Sequence, residues 1–179
     1  GFHEHSGLPL GRGFTSNHYV GRSFIQPVQS IRDLTVKMKL NPIRASVAGK
    51  RLVVVEDSVV RGTTTRGKMQ SLRAAGAREI HLRVASPPIR HPCYYGIDFP
   101  SRGELVAHQR SVAEIRDYLG VDSLEYLSLE GMLACFPEAE RRHYCSACFC
   151  GDYPIPIDED FEKDVFEKHQ LKFFDTRAR

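Results

Sequence analysis

Two adjacent carboxylates, Glu56 and Asp57, open the segment of this chain best suited to chemistry, and Ser58-Val59-Val60-Arg61-Gly62-Thr63-Thr64 follows directly. Hydroxyls, a glycine and backbone N–H groups at the start of a helix form a cradle for an anion, which the helix dipole also favours. A phosphate monoester fits it. Carboxylates set against a phosphate would repel it, so Glu56 and Asp57 must face hydroxyls or a cation, and Mg²⁺ is the hard, oxygen-seeking ion that commonly accompanies phosphates. The plainer alternative is a nucleotide-fold strand whose terminal acids only cap the next helix. The run lacks G-x-x-x-x-G-K and G-x-G-x-x-G, so it is neither a Walker loop nor a dinucleotide loop.

Two further groups of residues invite a ligand. Between Arg22 and Arg51 lie Arg32, Lys37, Lys39, Arg44 and Lys50 against the single acid Asp33, a local excess of positive charge that suits a polyanion. Of the five cysteines, Cys145, Cys148 and Cys150 crowd into six residues, while Cys93 and Cys135 stand apart. In a chain with no secretory signal such crowding suits a metal better than disulfides, and Cys145 with Cys148 has the C-x-x-C spacing that lets two thiolates share one centre. Zn²⁺ and unligated thiols are competing readings. Cys135 is expected to be a small core residue on the apolar face of a helix.

The elements that must position these residues are legible from residue 50 onward. Leu52 to Val55 is a continuous apolar run, as expected of a strand buried on both faces of a parallel sheet. Thr65, Met69, Leu72 and Ala75 recur at helical spacing, with Gly76 to close the helix. Ile80, Leu82 and Val84 alternate with His81 and Arg83, giving the next strand one apolar face, and Pro87 and Pro88 end it. Ser101 with Glu104 and Ser111 with Glu114 have capping-box spacing, predicting helix starts near 102 and 112. Val112, Ile115 and Leu119 mark a buried helix face. A short strand is expected over Leu124 to Leu127 and a closing helix after Ser128.

This alternation predicts an α/β fold with a parallel sheet. Residues 1–21 read as loop with a helical end. Residues 22–49 read as a mobile basic segment broken by Pro27 and Pro42, with a short helix around Val28 to Lys37. Past Phe136 the pattern dissolves into a charged, aromatic tail with a last helix from Asp158 to Gln170.

The chain has 179 residues, 41% of them hydrophobic, enough for one main core and an appendage. No apolar run approaches the roughly 20 residues of a membrane span. A formal charge of +3 with mixed signs argues against a nucleic-acid surface.

The thirteen residues VVVEDSVVRGTTT resemble the signature of the type I phosphoribosyltransferases, with Arg61 where many members carry Thr and Glu56 where Asp is usual. The flanks NHYVGRSFIQPVQSIRDLTVKMKLNPIR, SPPIRHPCYYGID, SLEYLSLEGML and YCSACFCGDYP narrow the resemblance to the glutamine phosphoribosylpyrophosphate amidotransferases, over nearly the whole chain to about Pro154. The resemblance implies a type I phosphoribosyltransferase fold, N-terminally incomplete, over residues 1–136, including a flexible basic loop at about 20–50, then a cluster-binding irregular tail over 137–179.

It further implies transfer of glutamine-derived ammonia to C1 of phosphoribosyl pyrophosphate, the first step of purine synthesis, in a cytoplasmic homo-oligomer inhibited by purine nucleotides. Ser58, Val59, Val60, Arg61, Gly62, Thr63 and Thr64 would hold the 5-phosphate. Glu56 and Asp57 would hold ribose hydroxyls and Mg²⁺. Lys39, in KMKLN, would be the catalytic loop cation alongside Asp57, supported by Arg22 and Lys37. Cys93, Cys145 and Cys148 would be three ligands of a 4Fe–4S cluster, the fourth lying upstream; Cys150 is not expected to be one. A glutaminase half would lie outside this chain. A regulatory domain that binds phosphoribosyl compounds without catalysis, and a nucleobase phosphoribosyltransferase, are the competing functions; the second does not account for the cysteines.

Overall fold

The computed structural model describes residues 1–16, 40–97 and 101–157. Helix α1 (Phe2–Ser6) is exposed throughout. Strand β1 (Phe14–Ser16) pairs antiparallel with β2 (Leu40–Pro42), so that Ser16 lies opposite Leu40. A short helix α2 (Arg44–Val47) follows, and its Val47 is buried in the core. Residues 40–50 are thus a strand, a helix and a turn rather than part of a loop. The expected helix at Val28 to Lys37 and that at Asp158 to Gln170 lie outside the described residues.

The main sheet runs in the order β3 (Arg51–Glu56), β4 (Glu79–Val84), β5 (Ser123–Tyr126), all parallel, with Leu52 opposite Ile80 and Leu82 opposite Leu124. Helix α3 (Thr63–Ala74) joins β3 to β4, and α4 (Val112–Leu119) precedes β5. The expected periodicities hold. Thr65, Met69 and Leu72 of α3 and Ile115 and Leu119 of α4 are buried with Ile80, Leu82, Val84 and Leu124 in one core. The Ser111 hydroxyl accepts from the Glu114 N–H while the Glu114 carboxylate accepts from the Ser111 N–H, completing the capping box of α4. Its counterpart at Ser101 yields only a 3₁₀ turn, Arg102–Glu104, where the Ser101 side chain accepts no backbone N–H.

One expectation about the sheet is corrected. Strand β3 is not buried on both faces: Leu52 and Val54 face the helices, while Val53 is 38% and Val55 51% exposed. Both helices pack on one side, and β3 is an edge strand among the described residues. The other face carries Arg51, Glu79, His81 and Ser123, joined by an Arg51–Glu79 ion pair at 2.6 Å and a His81–Ser123 hydrogen bond at 2.9 Å.

Beyond β5, Ser128 caps α5 (Leu129–Leu133) by accepting from Gly131 N–H. Then come α6 (Glu138–Arg141) and α7 (Ala147–Cys150). Cys135 is exposed rather than a core residue, because α5 ends before it.

Candidate functional site

The parallel register sets Glu56 at the carboxyl end of β3, level with Val84 of β4, which is where open α/β sheets collect ligands. The chain then turns through Asp57–Gly62 into α3. Two anchors hold this turn, one apolar and one a backbone hydrogen bond. The Val59 side chain is buried in the core at 1% exposure, and the Val60 carbonyl accepts from Val106 N–H at 2.9 Å. What Val59 offers a ligand is therefore its backbone.

Gly62 ends the turn with φ 76°, in the left-handed region that favours glycine. A Cβ there would also lie 3.0 Å from the Tyr118 ring and 3.4 Å from Val106. Helix α4 therefore presses directly against the loop, and only glycine meets both conditions.

The first bond into α3 is Arg66 N–H to Gly62 carbonyl, 2.8 Å. From Val59 to Thr65 the backbone N–H groups have no protein acceptor among the described residues. A run of unpaired donors at a helix N-terminus binds oxyanions. The exposed Thr63 and Thr64 add hydroxyls.

The side chains divide in a way their order in the sequence does not reveal. Asp57 is exposed, and its Oδ1 accepts from Ser58 N–H and, at 3.2 Å, from the Ser58 hydroxyl. Arg61 is tied to Glu104 at 3.0 Å on the surface. Glu56 is turned toward α3, where its Oε1 accepts from Lys68 Nζ at 2.6 Å. Sequence reasoning missed Lys68. The signal was present: it falls at i+3 from Thr65 and i+4 before Leu72, within the apolar stripe of α3, where a charge demands a partner.

Arg22, Lys37 and Lys39 lie outside the described residues. The β1–β2 pair brings residues 16 and 40 together, and β2 packs on α3.

The cysteines form a second locality. Arg90 and His91 donate backbone N–H bonds to the Cys148 carbonyl, both at 3.0 Å, docking the segment after β4 that carries Cys93 on α7. Tyr153 donates to the Pro92 carbonyl at 2.7 Å, and the Tyr95 hydroxyl bonds both the N–H and the carbonyl of Ile155. Burial, followed by the neighbouring Cys93 and Cys145, pushes the Cys148 thiol up to about 11. Tyr95 N–H points at Cys93 Sγ, 3.4 Å away. Soft donors of this kind suit a thiophilic metal centre. Yet among the described residues no three His, Cys, Asp or Glu side chains close around a common point.

A three-stranded parallel sheet with a strand–acid pair–anion loop–helix unit defines a phosphoribosyltransferase-type domain. The amidophosphoribosyltransferase of Synechocystis sp. is 53% identical over 157 residues, covering 88% of this chain and 32% of its own length. That of Methanothermobacter thermautotrophicus is 48% identical over 163 residues, covering 91% of this chain and 34% of its own. A solved structure, the glutamine phosphoribosylpyrophosphate amidotransferase from B. subtilis complexed with ADP and GMP, superposes with a TM-score of 0.76 at 47% identity, over 90% of this chain and 36% of that one. No family model matches. The chain belongs with the amidophosphoribosyltransferases, as a segment that spans about a third of the length of the curated relatives it matches.

Proposed function

We propose that this chain is the phosphoribosyl-binding part of an amidophosphoribosyltransferase, acting on phosphoribosyl pyrophosphate. The observation that carries the proposal is the run of unpaired N–H groups from Val59 to Thr65 directly after Glu56 and Asp57, in a chain half identical to such enzymes. The loop takes the 5-phosphate through those N–H groups and the hydroxyls of Thr63 and Thr64. Glu56 and Asp57 supply the oxygens that suit ribose hydroxyls and Mg²⁺, which when bound would offset the charge of the pyrophosphate.

In the reaction the lone pair of ammonia forms the N–C1 bond, the C1–O bond pair departs with pyrophosphate, and nitrogen gives up a proton. Positive charge grows on the sugar and negative charge on the leaving group. Fixed charges and dipoles therefore do most of the work. Lys39, with Arg22 and Lys37, would cover the pyrophosphate and keep water from the sugar. Glutamine supplies the ammonia through a separate glutaminase unit, purine nucleotides act as inhibitors, and the cytoplasm is the setting.

Cys93, Cys145 and Cys148 would hold a 4Fe–4S cluster that ties the tail to the sheet, the thiols drawing in around the metal as they lose their protons. Iron content and visible absorption of protein prepared without oxygen test this; colourless, zinc-loaded protein would sink it.

Ammonia-dependent pyrophosphate release from phosphoribosyl pyrophosphate tests the main proposal. Binding without consumption would make the site regulatory, and consumption that requires a nucleobase in place of ammonia would make it a nucleobase phosphoribosyltransferase.

A further inference from the structure

Lys68 has no role in the reading above, yet it is the one cation among the described residues that reaches the acid pair. Its ammonium lies 2.6 Å from Glu56 Oε1, and the two side chains are only 22% and 16% exposed. Glu56 Oε2 has no protein partner among the described residues. The pair spans the loop from the end of β3 to the second turn of α3, closing the base of the anion cradle.

Half-buried, the pair is electrostatically different from an exposed one. A bare Glu56 carboxylate at this point would oppose any phosphate entering the loop, and an unpaired Lys68 would be costly to bury. Paired, Glu56 carries little net charge toward the loop, and its carboxylate is fixed in one orientation with one oxygen unused. An oxygen of that kind accepts a hydroxyl. It is poorly placed for a divalent cation, which would sit against the Lys68 ammonium, so cation binding falls to the exposed Asp57.

Resting on the phosphoribosyl reading of this loop, we infer that Lys68 is a positioning residue: it cancels and orients Glu56 so that Oε2 accepts a hydroxyl of the sugar while Asp57 alone serves a metal. The two acids thereby do different work, and selectivity for a sugar phosphate over a bare phosphate depends on a lysine that touches neither.

Equilibrium binding of ribose 5-phosphate and of inorganic phosphate to the full-length protein tests the inference, using wild type, Lys68→Met, Glu56→Gln, the double variant and Lys68→Arg. Lys68→Met is expected to weaken ribose 5-phosphate about tenfold, through the lost charge-assisted hydrogen bond and the bared Glu56 charge together, and inorganic phosphate only about threefold, since phosphate meets the charge alone. The double variant should be no weaker than Glu56→Gln, since both substitutions break one linkage. Lys68→Arg should restore most of the preference for the sugar. Equal loss for both ligands would overturn the inference, because it would mean a direct attraction for phosphate or a damaged loop. So would additive effects in the double variant, or no effect of Lys68→Met. Wild-type protein that binds phosphate without preferring ribose 5-phosphate would remove the sugar site itself, a result distinguishable from failure of the lysine variants alone.

Discussion

In the proposed site Asp57 and Gly62 would act by opposite means, one by a side chain and one by having none. Asp57 is exposed and its only protein partners among the described residues are the N–H and hydroxyl of Ser58, so its removal should leave packing untouched. Asp57→Asn is expected to lower ammonia-dependent pyrophosphate release at least ~100-fold with an unchanged thermal midpoint, since electrostatic stabilisation of that kind is commonly worth this much. Near-normal turnover in folded protein would take Asp57 out of the site. Gly62→Ala should act on both properties. Its φ of 76° and the Tyr118 ring 3.0 Å from the new methyl predict a loss of about 1–2 kcal/mol in denaturant unfolding, together with weaker ribose 5-phosphate binding. At this scale the acids, the glycine and the hydroxyls were legible from residue type and order. The division between Glu56 and Asp57 was not, because it depends on Lys68 arriving from a helix.

Elements were legible wherever their stabilising interactions are local. Ser111 and Glu114 predicted the start of α4 and the full capping box is present. Ser111→Ala should therefore cost about 1 kcal/mol, read as a lower thermal midpoint, while Ser101→Ala should be nearly silent because Ser101 caps no backbone N–H. Asp122, just before β5, is the complementary case of a side chain serving a distant element. Its carboxylate accepts the Ile80 N–H at 2.6 Å and a bond from Arg73 on α3, and the first of these chiefly holds its pKa below the usual 3.8. A carboxyl depressed in the folded state stabilises above its unfolded pKa, and that stability is lost as pH falls through the folded value. Wild type should thus lose an increment of stability below about pH 4 that Asp122→Asn does not lose, as measured by unfolding across pH 2 to 6. Where an element's setting is nonlocal, sequence misled: β3 reads as buried on both faces because its valines are β-branched on both, yet its helices lie on one side.

Across the whole molecule, the tail is held to the segment after β4 by contacts that join residues some sixty apart in the chain. Tyr95 and Tyr153 meet edge to face, with ring centres 6.1 Å apart, and the Tyr95 hydroxyl closes on Ile155. Tyr95→Phe removes both hydroxyl bonds and keeps the ring, so limited proteolysis should cut near residue 155 several-fold faster, the scale of about 1 kcal/mol per lost bond. If the proposed cluster is the dominant tie, that sensitivity should appear mainly in metal-free protein. The spacing of Cys145 and Cys148 gave the possibility of a shared centre; only the fold seats residues 90–91, next to Cys93, on the Cys148 carbonyl.

By itself, the sequence determined the alternation of strands and helices, the capping box of α4 and the resemblance to the family, and it supplied the acid pair and loop on which the proposed site rests, since each depends on contacts within a few residues or on a continuous motif. Tertiary structure alone decided which face of β3 is covered, that Arg61 pairs with Glu104, that Cys135 is exposed, and that Glu56 is matched by Lys68. Those outcomes depend on which elements meet in space. A carboxylate at the end of a strand is a feature of sequence, but what it can bind is set by the charge that packing brings to its other oxygen.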